Sequence, residues 1–411
     1  MTVVDTREFP GFQLPDAPRF NHADGATMFA GELTRPAAIL DFAMVFGSRL
    51  WGHEPLATFG MVHDADTSNV NELGVALSEA TTPGVGDLYT HELRERANEA
   101  LTERVSRELD EPADGWRSLI LHTGSEAVET AIKTALRATG RTRLVAFEGG
   151  YHGTFGLALA VTHRPEFRDP WASQFAGTVT FEPWGAIPKL DEDVAAVVVE
   201  PWQGRAGVIP PPDGFLAGLR AECDRVGALL VLDAVLCGAG RTGPVVASRL
   251  AEARPDLLCL GKAIGCGVTA SAVVARAEAA DAAWQRGPVE PAHTSTSIGD
   301  PLACAGILRA LDRLDTRERD LATAASLWQA ELGGLAERTG LTLRGTGLLW
   351  ALDTGHAGLG MTFARVLLHE HRMLVVPSGV DSSSITLYPS VGVVDWERDK
   401  LLRAIEAVLA G

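Results

Sequence analysis

Two residues at the ends of apolar runs could do chemistry together. Lys262 follows the run Leu257–Leu260, in the turn Gly261-Lys262-Ala263-Ile264-Gly265. A lysine in a glycine-rich turn behind a buried strand can be desolvated, which favours the free amine and permits an imine with a carbonyl. A solvated loop lysine is the plainer alternative. A phosphate-loop lysine it is not, because Ala263 stands where a metal-binding hydroxyl is required. Asp233 closes the run Ala228–Leu232, so its carboxylate belongs to the carboxyl edge of a strand, where open α/β sheets bind ligands. The alternative there is a capping or turn aspartate.

Three further stretches could serve such a pair. Gly124-Ser125 lies between an apolar run and an amphipathic helix, and the first N–H groups of a helix can hold a phosphate. Simple capping by Thr123 is the competing reading. Gly149-Gly150-Tyr151-His152-Gly153 presents an aromatic in a glycine-rich loop, able to cover a planar ring or merely to pack. Gly238-Ala239-Gly240-Arg241-Thr242-Gly243 matches the dinucleotide fingerprint, which would make the chain a nicotinamide oxidoreductase. Against it, Pro244 follows at once, and the next strand ends in Gly-Lys where a ribose-binding acid is expected. A phosphorylated, cationic pyridine aldehyde needs the other four features, and they occur in order along the chain.

The elements that must position them alternate. Strands are predicted at Ser118–His122, Arg143–Phe147, Val194–Glu200, Ala228–Asp233 and Leu257–Leu260. Helices are predicted from Asp87 onward, with Leu93, Ala97, Leu101, Val105 and Leu109 on one face, and at Ser125–Thr139 and Phe215–Val226. Thr123 and Glu126 fit a capping box, and Gly140 a helix end. Near-continuous apolar strands spaced by helices imply an α/β domain with a mostly parallel sheet covered on both faces. Before it, residues 1–60 read as irregular chain with a short strand near Ile39–Phe46. Residues 61–299 form the large domain. Residues 300–411 read as a smaller α+β domain: helices Leu302–Leu314, Ala322–Thr339, Thr362–Arg372 and Trp396–Leu409, with strands Leu341–Arg344 and Gly347–Leu352 around a Gly345-Thr346-Gly347 turn, and strands near Leu374 and Ile385.

Composition limits the function classes. The 411 residues are 46% hydrophobic and 22% charged, an ordinary globular balance. A net charge of -17 disfavours a nucleic-acid binder. Cys223, Cys237, Cys259, Cys266 and Cys304 show no paired spacing, which predicts buried thiols in a reducing compartment. The histidines form no metal motif, so no structural metal is expected. No run approaches membrane-spanning length, and the start lacks the basic, apolar pattern of a signal peptide; the expected location is the cytoplasm.

With these stretches on the page, the chain resembles the class III aminotransferases, pyridoxal-phosphate-dependent enzymes of fold type I. The resemblance runs from about Leu40 to the C-terminus. It rests on Asp41-Phe42 with Gly52-His53, Gly124-Ser125-Glu126-Ala127, Tyr151-His152-Gly153, Glu200-Pro201-Trp202-Gln203-Gly204, Gly240-Arg241-Thr242-Gly243, Pro255-Asp256, Gly261-Lys262-Ala263-Ile264-Gly265 and Gly299-Asp300-Pro301-Leu302-Ala303-Cys304. It also removes the dinucleotide reading, since the family has the same Gly-Arg-Thr-Gly there.

The resemblance implies pyridoxal 5'-phosphate held as a Schiff base on Lys262, with Asp233 pairing the pyridinium nitrogen. It implies Gly124 and Ser125 on the phosphate, Tyr151 and Val235 on the two ring faces, and His152 and Glu200 within the site. Thr296 would reach the phosphate of a neighbouring subunit, which implies a homodimer. The implied reaction moves an amino group between an amine or amino acid and an oxo acid. Three positions depart from the family pattern: Ala234 and Leu236 where Asp-Glu-Val-Gln is usual, and Thr386 where many members carry a carboxylate-binding arginine. Leu236 removes a donor to the ring oxygen. These departures keep racemisation, decarboxylation or side-chain substitution on the same scaffold as the alternative. Arg205 could meet a substrate carboxylate or be a surface arginine; Trp51 and Trp202 could line the pocket or pack.

The purified protein should be yellow and lose that colour with borohydride. A spectrum with only a nicotinamide band would return the dinucleotide reading.

Overall fold

Residues 18, 20–30, 37–53, 86, 89–175, 177–284 and 292–410 are described by the structure, a computed structural model. The expected helix start at Asp87 lies outside them. Near the N-terminus, β1 (Phe20–Asp24), β2 (Thr27–Ala30) and β3 (Ala37–Asp41) form an antiparallel meander. The strand expected up to Phe46 stops at Asp41, because Asp41 Oδ1 accepts from the N–H groups of Ala43 (2.8 Å) and Met44 (2.9 Å) and turns the chain. Asp41 Oδ2 meanwhile lies 2.7 Å from His53 Nε2, which joins the two halves of the first matching motif.

The central sheet has seven strands: β4 (Trp116–Leu121), β5 (Arg143–Phe147), β6 (Val179–Glu182), β7 (Val194–Val199), β8 (Leu229–Asp233), β9 (Leu257–Leu260) and β10 (Ser271–Arg276). Their order is β4-β10-β9-β8-β7-β5-β6. Pairs β9–β8, β8–β7, β7–β5 and β5–β6 are parallel, whereas β10 is antiparallel to both neighbours. Two antiparallel steps restore direction, so β4 runs with β9, β8, β7 and β5, and all five carboxyl ends share one edge. The α/β class with a mostly parallel sheet is therefore as read. β6 and β10 were not anticipated, and β10 makes the sheet mixed. β10 is a buried Ala-Val stretch between a glycine turn and an alanine-rich helix, with no period that separates strand from helix.

Alternate side chains divide between two apolar layers. Val231, Leu257 and Cys259 join Ala127, Val128, Ala131, Ile132 and Ala135 of helix Gly124–Thr139 on one face. Leu230, Leu232, Leu258 and Leu260 join Leu101 and Val105 of helix Glu92–Leu109 and Phe215, Leu216 and Leu219 of helix Phe215–Val226 on the other. Covering both faces is what makes these strands apolar throughout. The five cysteines are buried free thiols.

Beyond helices Pro301–Thr316 and Glu318–Thr339, a four-stranded sheet runs β11 (Thr342–Thr346), β12 (Leu349–Asp353), β15 (Ser384–Leu387), β14 (Val376–Ser378). The hairpin turn falls at Gly347-Leu348 rather than Gly345–Gly347, because Gly345 pairs with Trp350 across the ladder. A Cβ at Gly345 would meet Leu349 O at 2.1 Å, so this in-register position accepts only glycine. Between the helix Leu359–His371 and β14, β13 (Met373–Leu374) pairs in parallel with β3, tying the C-terminal part to the N-terminal meander. Helix Asp395–Ala410 closes the chain.

The Gly238–Gly243 stretch forms turns with no helix start. Arg241 is wholly buried and donates to Leu348 O (3.1 Å), Pro389 O (2.7 Å) and Gly47 O (2.8 Å), joining three distant segments. Burial pushes its guanidinium down to about 9, and no carboxylate pairs with it among the described residues. Arg241→Met should lower the unfolding free energy by about 3 kcal/mol, since buried carbonyls lose charged donors. A urea titration placing the variant within about 0.5 kcal/mol of the parent would contradict this role.

Candidate active site

The shared carboxyl edge of β4, β5, β7, β8 and β9 collects the residues singled out above. Asp233 ends β8 and is buried. An isolated carboxylate there would carry a large desolvation cost. Its Oδ2 lies 2.8 Å from Nδ1 of His152, itself buried in the loop after β5. Asp233 Oδ1 accepts from Val235 N at 3.1 Å, which fixes the carboxylate plane. His152 N donates to Thr162 Oγ1 (2.9 Å), whose single hydroxyl proton is shared between Gly153 O and Ala158 O. Burial opposes a charge on His152, but the hydrogen bond and charge of Asp233, aided by Glu200, outweigh it and raise its pKa.

Lys262 stands on the neighbouring strand end, three residues beyond Cys259, which pairs with Asp233 across the ladder. Its φ of 49° is left-handed, a conformation that strains a residue with a Cβ and is kept where the surroundings demand it. Among the described residues its amine makes no hydrogen bond or ion pair. Burial lowers its pKa, against the raising charges of Asp233 and Glu200. An amine so placed is more readily neutral, the form that attacks a carbonyl.

Glycines shape the floor. A Cβ at Gly124 would meet Val235 Cγ1 at 2.5 Å, and one at Gly261 would meet the same atom at 3.0 Å. Val235 thus lies against the start of helix Gly124–Thr139 and the turn carrying Lys262. Thr123 Oγ1 accepts from Glu126 N (3.2 Å), and Glu126 Oε2 accepts from Thr123 N (3.4 Å), completing the capping box. The N–H groups of Gly124 and Ser125 have no partner within the helix and remain for a ligand. A Cβ at Gly153 would strike Ser125 Oγ at 2.3 Å, so the Tyr151 loop closes directly on this helix start.

Glu200, buried at the end of β7, accepts from Tyr151 N (3.0 Å) and Gly204 N (3.1 Å). Burial raises its pKa to about 7, against the opposing charge of His152. The donor set fits pyridoxal 5'-phosphate: a helix start for the phosphate, a flat cradle between Val235 and the Tyr151 loop, a buried carboxylate for a ring N–H, and a free amine. Among the described residues no cluster of three His, Cys, Asp or Glu side chains is placed to hold a metal.

Other singled-out residues fall elsewhere. Thr296 is exposed in the 296–299 turn, its carbonyl beside Gly86. Trp202 and Trp51 pack against arginines: Arg249 lies 5.5 Å from the first ring, and Arg313 and Arg317 lie 5.2 and 5.6 Å from the second. Ala234 is wholly buried in the apolar core, so the absence of glutamate there changes packing rather than the pocket. Leu236 is wedged against Gly204, where a Cβ would lie 1.9 Å from its Cδ2. Thr386 is buried and donates to Ser378 Oγ at 2.6 Å. Arg205 enters the cluster over Tyr151, and sequence reading missed Tyr388 and Phe167 as its neighbours, since no local signal links them.

Comparison with known proteins agrees with this geometry. The family model described as Aminotransferase class-III matches residues 80–409. An acetylornithine aminotransferase of Methanopyrus kandleri is 36% identical over 321 residues, covering 75% of this chain and 79% of that protein. A putrescine aminotransferase of Pectobacterium atrosepticum is 34% identical over 310 residues, covering 71% and 65%. The crystal structure of an amine transaminase from an uncultivated Pseudomonas species, in its PLP-bound form, superposes with a TM-score of 0.82 at 24% identity, covering 100% of this chain and 99% of that one. The ornithine aminotransferase of Toxoplasma gondii gives a TM-score of 0.76 at 23% identity, over 97% and 92%. The chain belongs to the class III aminotransferases and is a pyridoxal-phosphate-dependent transferase of fold type I.

Proposed function

We propose that this chain moves an amino group between an amine or amino acid and an oxo acid by a two-stage exchange, with Lys262 as the residue that holds the cofactor and moves the proton. The observation that carries this reading is the meeting, on adjacent strand ends, of an unpaired lysine amine and the buried Asp233–His152 pair. When bound, pyridoxal phosphate supplies an aldehyde that takes the amino group and a ring that accepts the electron pair left at Cα.

The chain's residues do the rest. Asp233 holds the proton on the ring nitrogen, and His152 keeps that carboxylate charged in an apolar setting. Gly124 and Ser125 anchor the phosphate at a helix start. Tyr151 and Val235 confine the ring between them, and Glu200 borders the substrate side. Lys262 takes the Cα proton and returns it one carbon away. Thr296, exposed on its own chain, would serve the site of a second copy in a homodimer. We also read residues 1–60, 61–299 and 300–411 as N-terminal segment, large domain and small domain, the pairing of β3 with β13 supporting contact between the first and last. No helix among the described residues is long and apolar enough to cross a membrane, in keeping with a cytoplasmic location.

Incubation with candidate amines should convert the bound pyridoxal form to pyridoxamine phosphate and release an oxo product. Exchange of the Cα proton without that conversion would point instead to the racemase-like alternative, which Leu236 favours by offering the ring oxygen no donor. Lys262→Ala should lower turnover by roughly a thousandfold or more. Unchanged colour and turnover in that variant would end the proposal.

Glu200 adds a pH dependence. Because its folded pKa is raised from 4.5 to about 7, the native state binds more protons than the unfolded chain between these values. Stability therefore falls as pH rises through that window and levels off above it. Relative to Glu200→Gln, the parent should lose about 3 kcal/mol between pH 4.5 and 7. Urea titrations at the two ends of the window measure this, and parallel curves for the two proteins would rule it out.

A further inference from the structure

We infer that Arg205 is the anchor for a substrate carboxylate, and that the enzyme therefore selects acids carrying an amino or oxo group over simple amines. The inference rests on the aminotransfer reading and assigns the substrate class of that same site.

Three arginines surround the turn that follows Gln203-Gly204. Arg164 is paired with Glu166 at 2.7 Å, and Arg344 with Asp353 at 2.8 Å. Both also brace the turn: Arg164 donates to Arg205 O at 3.2 Å and Arg344 to Gly207 O at 3.0 Å. Gly379 N donates to Arg205 O as well, at 3.1 Å. Arg205 alone of the three has no carboxylate partner among the described residues. Its guanidinium carbon lies 5.1 Å from the centre of the Tyr151 ring and 5.4 Å from that of Phe167, so two aromatic contacts hold it. Its Nε is buried and makes no hydrogen bond. A rigidly held cation with an unused buried donor is suited to a planar anion that accepts two parallel hydrogen bonds.

The place is the right one. Arg205 sits over the ring-covering Tyr151, and its charge opposes protonation of Lys262 and works against the burial that raises the pKa of Tyr151 and Tyr388. The alternative position for a cation on β15 is taken by Thr386, whose hydroxyl is spent on Ser378. The carboxylate must then be met from the turn after β7.

Glutarate, a dicarboxylate with no group to react, is the direct probe. Its binding to the holoenzyme is read from the absorbance of the bound cofactor. Arg205→Met should weaken glutarate by about 30-fold, the loss of charged hydrogen bonds, and Arg205→Lys by about fivefold, since charge remains without the planar fork. The preference for 4-aminobutyrate over butylamine, taken as a ratio of kcat/KM, should fall at least about tenfold in Arg205→Met. Should that variant fail to fold, Arg205→Lys decides the matter. No saturable response to glutarate in the parent enzyme, or equal affinity in the variants, would overturn the inference. If neither amine is converted, the aminotransfer reading fails, and the glutarate titration still judges Arg205.

Discussion

A carboxylate buried at the end of a central strand is stable only with a partner, and here the partner comes from another strand end. Asp233 and His152 satisfy one another at 2.8 Å, where neither could stand alone. That bond holds the loop after β5 against the end of β8. It thereby positions Tyr151, which passes its own N–H to Glu200 at the end of β7. The protonation behaviour of the whole cluster follows from crowding acids, a base and an amine into one poorly hydrated edge. His152 is held toward its charged form, Glu200 toward its neutral form, and Lys262 toward the free amine. Pushing such groups apart in acidity is how one site both holds and moves protons near neutrality.

Two arginines show how position decides what a residue type does. Arg241 is fully enclosed and spends its donors on three backbone carbonyls from remote segments. Its role is architectural: it joins the turn after β8 to the chain before Leu50 and to the segment beyond β15. Arg205 is held by its backbone and by two aromatic rings, leaving its side-chain donors uncommitted. The same guanidinium chemistry supports structure in one case and recognition in the other. What separates them is whether carbonyl oxygens are already within reach.

The three departures from the family pattern also divide by position. Ala234 lies in the apolar core, so a glutamate lost there is mostly a matter of packing. Leu236 fills space against Gly204, whose missing side chain makes room for it. Thr386 turns its hydroxyl to Ser378 within the small sheet. None of the three bonds to the side chains of Asp233, His152 or Lys262, whose partners are set by other residues, so the changes bear on packing and substrate choice more than on the cofactor groups.

Much of the architecture was legible from residue order. Strands β5 and β9 and the helix Phe215–Val226 match their expected bounds, because glycine, proline or a charged residue stands at each edge of an apolar run. The helix after Thr123 was marked by its capping box and by Gly140, whose φ of 67° suits glycine. β10 escaped because its run carries no period that separates strand from helix, and β6 because it is a four-residue, half-buried edge strand with only two apolar residues. The order of strands was also beyond reach, since pairing is set by packing between distant segments rather than by local preference.

Sequence by itself determined which groups were available: a lysine and an aspartate at strand ends, glycines where backbone must approach closely, and an arginine after Gln203-Gly204. Those are local facts, written in residue type and spacing. Only the tertiary structure decided that His152 would partner Asp233, that Ala234 would face the core, and that Arg205 rather than Arg164 or Arg344 would be left without a counter-ion. Each of these depends on which neighbours arrive from elsewhere in the chain, and electrostatics in a dry edge is governed by neighbours within a few ångströms, whatever their separation in sequence.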